Sequence, residues 1–579
     1  MSACRYVGRV GGLAVALGIG AAVFGAVDAD AWADSSSPSA PVSAGPADGR
    51  SSHSAPVRAR TPRPAAAQVT RRPAAASGRG AAVARTAVAQ TAVAQTAVAR
   101  PAAAALTQPV IMGPSGVPIP SDQYVAKVMN YYVRQSSGAP PQPPYEDPQP
   151  QVIFTPEGLY PITGVKSLPL NTSVDQGIQI LYKTLTPLHD GTPTTVFGYS
   201  QSAIISGLLQ SGYTTGGVTY NVPTNIIDTV DFVLVGNELN PNGGFLSRFT
   251  ATPYAPALFL PSLGIPFYEA TPADAYATTN YTLEYDGFAD FPRYPLNLLA
   301  DINAGLGLAL VHTKYAPGPN CRTYCTTLQQ VLDAIPLPVS PTSTEQNYFF
   351  MPTEDLPLLA PVRAIPLIGN PIADLVQPVL KAIVDLGYGD AAHGYPSGGQ
   401  PPANVLVPFG LFPQVDPLEV AIRVFNGIGQ GITDFINDFG PTGSVVRELS
   451  GIQQALSSIQ LPNPASFVLP APDSVLTGIQ NFVTGVANAI SYSTASYYSG
   501  LLPTADVANA FLTSLPGYSV SLFLGGVKQM IAGDLIGGLV NAIGLPIAAN
   551  VGLVTTASLV VALSWAQAIA GVFGINLSA

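Results

Sequence analysis

A serine attacks an acyl carbon only when a neighbouring base takes its proton, so the chain is read first for serines in a reactive setting and for histidines able to serve them. Gly198-Tyr199-Ser200-Gln201-Ser202 stands between a β-branched and aromatic run, Thr194–Phe197, and an apolar run with helical spacing, Gln201–Leu209. A nucleophile elbow needs that strand-turn-helix context, with small residues about the serine so that a strained turn holds its hydroxyl out at the strand end. Ser202 replaces the usual second glycine and keeps the position small. The helix that follows favours the negative charge that develops during acyl transfer. In a chain rich in Gly and Ser, the bland alternative is an ordinary strand-to-helix turn.

Four histidines are present. His53 lies in a low-complexity stretch and His189 precedes the serine's strand, at its wrong end; His312 and His393 both follow in the order Ser, Asp, His of α/β-hydrolases. His312 starts a loop after an apolar helix and is taken as the base. His393, in Gly389-Asp390-Ala391-Ala392-His393-Gly394, reads equally well as part of a surface turn. The acid that orients the base is expected in Tyr285-Asp286-Gly287-Phe288-Ala289-Asp290-Phe291-Pro292. Asp290 is the first choice; Asp286, beside Gly287, is the alternative acid or simply the turn residue. For an oxyanion hole, the Gln201 amide fits the donor after the nucleophile, and Gly113 or Ser115 fits the donor from an early loop, where Pro114 has no N–H. Such acyl transfer needs no cofactor. Cys321 and Cys325 lack further metal ligands nearby, so a local disulfide is preferred to two buried thiols.

Several strings occur together in one order: Phe154-Thr155-Pro156-Glu157-Gly158-Leu159, the Ser200 string, Asn240-Pro241-Asn242-Gly243-Gly244, Tyr285 to Pro295, Val311-His312, and Met351-Pro352-Thr353-Glu354-Asp355-Leu356-Pro357-Leu358. With them the chain resembles the PE-PPE domain family of mycobacterial serine hydrolases over roughly residues 106 to 415. The resemblance implies an α/β-hydrolase fold related to cutinases and activity on carboxylic esters. In some members it implies acyl transfer between trehalose glycolipids at the cell envelope. It points to Ser200, His312 and one of Asp286 and Asp290. An export signal and linker stand where the family's PE or PPE helical module is expected, and Asn237 stands after Gly236, where an acidic residue is expected.

The elements that must position these residues follow from hydrophobic periodicity. Strand-like runs alternate with helix-like ones, the pattern of a mostly parallel α/β sheet. Strands are expected at Pro109–Met112, Val152–Phe154, Thr194–Phe197, Val230–Val235 and Thr279–Tyr285, and helices after Ser121, at Thr172–Leu185, at Gln201–Leu209 and at Asn297–Val311. Past about residue 415 the chain turns to Gly, Ala, Ser and Leu, and from Gly451 onward only Asp473, Asp506, Lys528 and Asp534 are ionised. That reads as helices packed on the hydrolase or lying against lipid; Val551–Val572 is long enough for a membrane span, but its Ser, Thr and Gln residues argue against one.

Residues 1–33 have the layout of an export signal: Arg5 and Arg9, an uncharged run from Val10 to Val27, then small-residue sites. An uncleaved signal anchor is the alternative. Residues 34–105 read as a disordered Ala/Pro/Arg-rich linker, 106–415 as the hydrolase domain and 416–579 as the apolar helical region. Residues 1–105 hold eleven Arg and four Asp, leaving the remainder with 13 basic and 30 acidic residues. That excess of acid excludes nucleic acid as a partner of the folded part. The expected protein is an exported, secreted or envelope-associated serine ester hydrolase or acyltransferase, forming an acyl-enzyme on Ser200 from lipid-like acyl esters or glycolipids and working at a membrane or envelope lipid surface. The competing reading is a non-catalytic envelope lipid-binding protein that keeps the fold.

Overall fold

The structure is a computed structural model and describes residues 108–136, 149–188, 191, 193–250, 253–341, 346–457 and 472–572. The export signal, the whole of the linker (34–105), His53 and His189 lie outside the described residues.

Seven strands form the central sheet: β1 (Gln108–Ile111), β2 (Gln151–Val152), β3 (Thr194–Tyr199), β4 (Val230–Val235), β5 (Ala277–Leu283), β6 (Ile335–Pro336) and β7 (Gln346–Met351). Their order is β6-β7-β5-β4-β3-β1-β2, and every pairing is parallel except β6 with β7. Because side chains alternate across a strand, a run apolar at every position is buried on both faces. Thus Val196 and Leu234 pack on one face with Val174, Ile178 and Leu181 of α2 (Leu170–Leu185) and with α3 (Gln201–Ser211). On the other face Phe197, Val233, Val235 and Tyr281 pack with Val125 and Val128 of α1 (Asp122–Val128). Ser121 caps α1 by accepting from the Tyr124 amide at 3.4 Å, and Gly212, at φ 78°, ends α3.

The expected elements are present, with shifted ends. The fifth strand stops at Leu283 rather than Tyr285, because Tyr285 adopts φ 67° and turns the chain out of the sheet. The α4 helix (Leu298–Leu310) is capped by Asn297, which accepts from the Ala300 amide at 3.2 Å, and His312 begins a single 3-10 turn directly after it. Not foreseen are β6, β7 and α5 (Gly369–Asp385); α5 packs Ala373 and Val384 against Tyr285 and Ala300.

After α6 (Pro417–Asp438), two long helices, α7 (Pro472–Ile531) and α8 (Leu535–Val572), fold back on each other. Gly526 lies against Ala542, Asn550 donates to Ser519 at 2.7 Å and Trp565 to Thr504 at 2.9 Å, so the pair is antiparallel. Asp534 makes the turn by accepting from the Gly537 amide at 2.9 Å. Both helices are long and apolar enough to cross a membrane by length and composition. Yet Val507, Leu515, Leu522, Leu545 and Leu553 belong to the same buried cluster as β3, β4 and α2, and α8 lies along α4. The hairpin therefore completes the core of the sheet domain.

Asp301 of α4 is buried with neither carboxylate oxygen hydrogen-bonded, and burial pushes its carboxyl up to about 8. Between its ordinary 3.8 and that value, the folded chain holds a proton that the unfolded chain releases, so this group's stabilising contribution is full below pH 3.8 and is lost as pH rises towards 8. Thermal unfolding is expected at a lower temperature at pH 8 than at pH 5. Asp301→Asn is expected to flatten that dependence; an unchanged slope in the variant would remove Asp301 as its cause.

Candidate active site

The carboxyl ends of β1, β3, β4 and β5 lie on one edge of the sheet, the place where open α/β sheets bind ligands. Ser200 leaves β3 at φ 57°, ψ −125°, a conformation costly for a residue with a Cβ, and α3 starts at the next residue. A Cβ on Gly198 would come within 2.6 Å of the Ser202 carbonyl oxygen, so the tight turn requires that glycine. Ser202, the departure from the usual pattern, helps tie the turn: its Oγ accepts from the Tyr199 amide at 2.8 Å and donates to the Tyr199 carbonyl at 3.0 Å.

His312 reaches this turn from the end of α4. Its Nε2 is 2.8 Å from Ser200 Oγ, and its Nδ1 is 2.8 and 2.9 Å from the two carboxylate oxygens of Asp286. Gly236, at φ 55° just after β4, leaves room for the ring; a Cβ there would lie 3.1 Å from His312 Cε1. Asp286 also accepts from the Tyr315 hydroxyl at 2.8 Å and from the amides of Phe288 (2.9 Å) and Ala289 (3.3 Å). It is thus both the turn residue of its loop and the partner of the histidine. Burial of His312 opposes its charged form, but the charge and hydrogen bond of Asp286 and the charge of Glu238 outweigh that, and the ring's pKa is raised above 6.5.

Asp290, the acid first expected beside His312, is engaged elsewhere. Its carboxylate accepts from the Tyr285 amide at 2.9 Å and stands 3.0 Å from His393 Nε2, while His393 Nδ1 is 2.9 Å from Asp390. His393 is buried and stacks on Tyr388 with ring centroids 4.0 Å apart, so it is no surface turn. Burial opposes its charge, but the two carboxylates prevail and hold its pKa well above the usual histidine value. Together with a hydrogen bond from the Tyr285 hydroxyl to Asp385 (2.6 Å), this cluster fastens the Asp286 loop to the end of α5 and the segment after it.

The residues expected to line an oxyanion hole lie together. Ser115 Oγ donates to Gln201 Oε1 at 3.2 Å, and Gln201 Nε2 donates to Ser173 Oγ at 2.6 Å. The Gln201 side chain therefore bridges the loop after β1 to α2, while its backbone amide is the first of α3, where helix N–H groups lack intrahelical partners. Gly113 turns tightly in the same loop, against Val117. Cys321 and Cys325 form a disulfide, with S–S 1.98 Å.

Two acids at this edge were not singled out as site residues from the sequence. Glu238, two residues past Gly236, accepts from Ser200 Oγ at 3.1 Å. Burial pushes Glu238 up to about 7, against the lowering effects of His312 and Ser200. Glu157, at φ 50° and hydrogen-bonded by Thr155, is pushed to about 8 by burial, with Glu238 adding to the rise. Glu157 was visible within the Phe154–Leu159 string. Glu238 lies one place beyond Asn237, whose amide instead donates to Thr271 (3.0 Å) and Asn280 (3.1 Å).

The PE-PPE domain model matches residues 146–389. The chain is 42% identical over 472 residues to the uncharacterized PPE family protein PPE28 of Mycobacterium tuberculosis, covering 79% of this chain and 64% of PPE28. It is 35% identical over 460 residues to Esterase PE16 of the same organism, covering 77% of each. A more distant similarity, 28% over 214 residues, covers 35% of this chain and 53% of the Diacyltrehalose acyltransferase Chp2 of M. tuberculosis. No solved structure matches the chain. On the domain match and the extent of the PE16 alignment, the chain belongs to the PE-PPE domain family.

Proposed function

We propose that this chain is a serine esterase or acyltransferase acting on acyl esters of lipids, with Ser200 as nucleophile, His312 as general base and Asp286 as the group that orients it. The observation that carries the reading is the buried imidazole with Ser200 Oγ on one nitrogen and Asp286 on the other, each at 2.8 Å. The Ser200 hydroxyl has one proton and two acceptors in reach, and the shorter contact is the one to His312. As Oγ attacks the ester carbonyl, its proton passes to His312 Nε2 while Asp286 holds the Nδ1 proton and stabilises the imidazolium. The Gln201 amide, with a donor from Gly113 or Ser115, faces the oxyanion. The imidazolium then gives its proton to the leaving alcohol, an acyl-enzyme remains, and an acceptor hydroxyl attacks it with His312 again as base.

The names of the relatives support both kinds of acceptor: an esterase uses water, an acyltransferase an alcohol of a second substrate. Either acceptor is activated by the same base. The export signal read at residues 1–33 supports action outside the cytoplasm, on lipid of the cell envelope.

Three outcomes test this reading. A serine-directed fluorophosphonate is expected to label Ser200 in the wild-type chain, identified by mass spectrometry of the modified peptide, and Ser200→Ala and His312→Ala are expected to lower ester turnover by roughly 10⁴-fold or more. A folded wild-type chain that is never labelled would support lipid binding without catalysis. Asp286→Ala is expected to lose activity on a similar scale, whereas Asp290→Ala keeps the label and instead loses about 3 kcal/mol of stability, as a buried charged histidine loses one partner; the reverse pattern in denaturant titrations and kinetics would exchange the two roles. Because the active base is neutral, kcat/KM should rise with pH through a midpoint above 6.5, and Asp286→Asn should move that midpoint down.

A further inference from the structure

The core shared by the sheet and the hairpin contains an apolar cavity of about 80 Å³, room for a short acyl chain. Leu159, Phe245 and Phe267 line it from the hydrolase side, and Ala510, Leu553 and Ala557 from α7 and α8. Its lining includes Glu238, which accepts from Ser200 Oγ at 3.1 Å, and Phe288, whose ring stands edge-on to that of His312 at 4.7 Å between centroids. The cavity thus comes up against the reacting serine and its base. Two other polar side chains in the wall are already satisfied: the Tyr160 hydroxyl donates to Asp506, and Thr556 Oγ1 donates to the Gly552 carbonyl at 2.8 Å. Apart from Glu238 and the oxygens of those two hydroxyls, the wall is apolar and offers a hydrocarbon chain continuous contact.

The outer wall is held by specific bonds. Asp506 of α7 takes the Tyr160 hydroxyl on its carboxylate and the Ser262 hydroxyl, at 2.7 Å, on its carbonyl.

On the reading that Ser200 forms an acyl-enzyme, we propose that this cavity receives the acyl chain, that its ligand class is the fatty acyl ester, and that the α7–α8 hairpin, as its outer wall, sets the chain length accepted. Each methylene buried there adds about fourfold to kcat/KM, the equivalent of ~0.8 kcal/mol, until the chain meets the end of the cavity.

The test uses the full chain. In the Ser200→Ala variant, a diazirine-bearing hexanoate is photo-crosslinked and the modified peptides are mapped; crosslinks are expected in 507–515 and 553–560, and crosslinks confined to other segments would overturn the proposal. In parallel, kcat/KM is measured for p-nitrophenyl esters from acetyl to palmitoyl. Ala510→Phe, which fills the cavity, is expected to lower the hexanoyl-to-acetyl ratio at least tenfold, and Leu553→Ala, which enlarges it, to move the optimum to longer chains. Variants that keep the wild-type chain-length profile overturn the proposal even where ester hydrolysis at Ser200 stands. A wild-type chain that crosslinks in the cavity but hydrolyses no ester would sink the catalytic reading and leave the cavity as a fatty-acyl site.

Discussion

The structure turns on one imidazole with both nitrogens bonded inside the protein. His312 must meet Ser200 at Nε2 and Asp286 at Nδ1 at the same time, and the three residues come from the end of β3, the loop after β5 and the end of α4. A side chain on Gly236 would crowd the ring. Ser200, Tyr285 and Glu157 all hold positive φ around it, although none is glycine. Strain of this kind, of order 1–3 kcal/mol each, persists only where surrounding packing over-determines the backbone. Here the over-determination is visible: β3 is buried along its whole length, and the Asp286 loop is tied down by Tyr285 to Asp385 and by Asp290 to His393.

The same geometry explains what the sequence made legible. A strand ending at a serine between small residues, followed directly by an apolar helix, is a local pattern, and Ser200 could be read from it. His312 was legible because it follows the periodic run that becomes α4. The choice between Asp286 and Asp290 was not, because both are buried acids four residues apart in one loop, and their partners, His312 and His393, lie 26 and 103 residues from them. Local spacing carries no information on which histidine folds back to which acid. Glu238 is a case of the same kind: it gains significance only because β3 and β4 are adjacent strands.

The elements missed from the sequence share a physical reason. Only two residues make up β6, and β7 (Gln-Asn-Tyr-Phe-Phe-Met) lacks the β-branched run that marked β4. The α7–α8 region was readable as helical and apolar, but the choice between packing on the sheet domain and lying against lipid was not, since its composition suits both. Small residues decide how its helices meet: Gly526 against Ala542 and Gly538 against Met530 bring the two backbones close. Close approach of this kind gives packing without long side chains, so the sequence shows little of the periodic stripe by which an amphipathic helix is recognised.

Burial at this end of the sheet bears on the acyl transfer proposed for Ser200. Glu157 and Glu238 are pushed up to about 8 and about 7 chiefly by desolvation, which marks the end of the sheet as a region where isolated negative charge is costly. In that setting fixed N–H dipoles at the start of α3 would stabilise the oxyanion of the proposed reaction more strongly than they would in water, and the attraction between Asp286 and His312 is strengthened as well. A protonated Glu238 would add no competing charge beside the serine, whereas an ionised one favours the imidazolium and disfavours the oxyanion. On the acyl transfer proposed for Ser200, an ionised Glu238 therefore works for the base and against the transition-state oxygen.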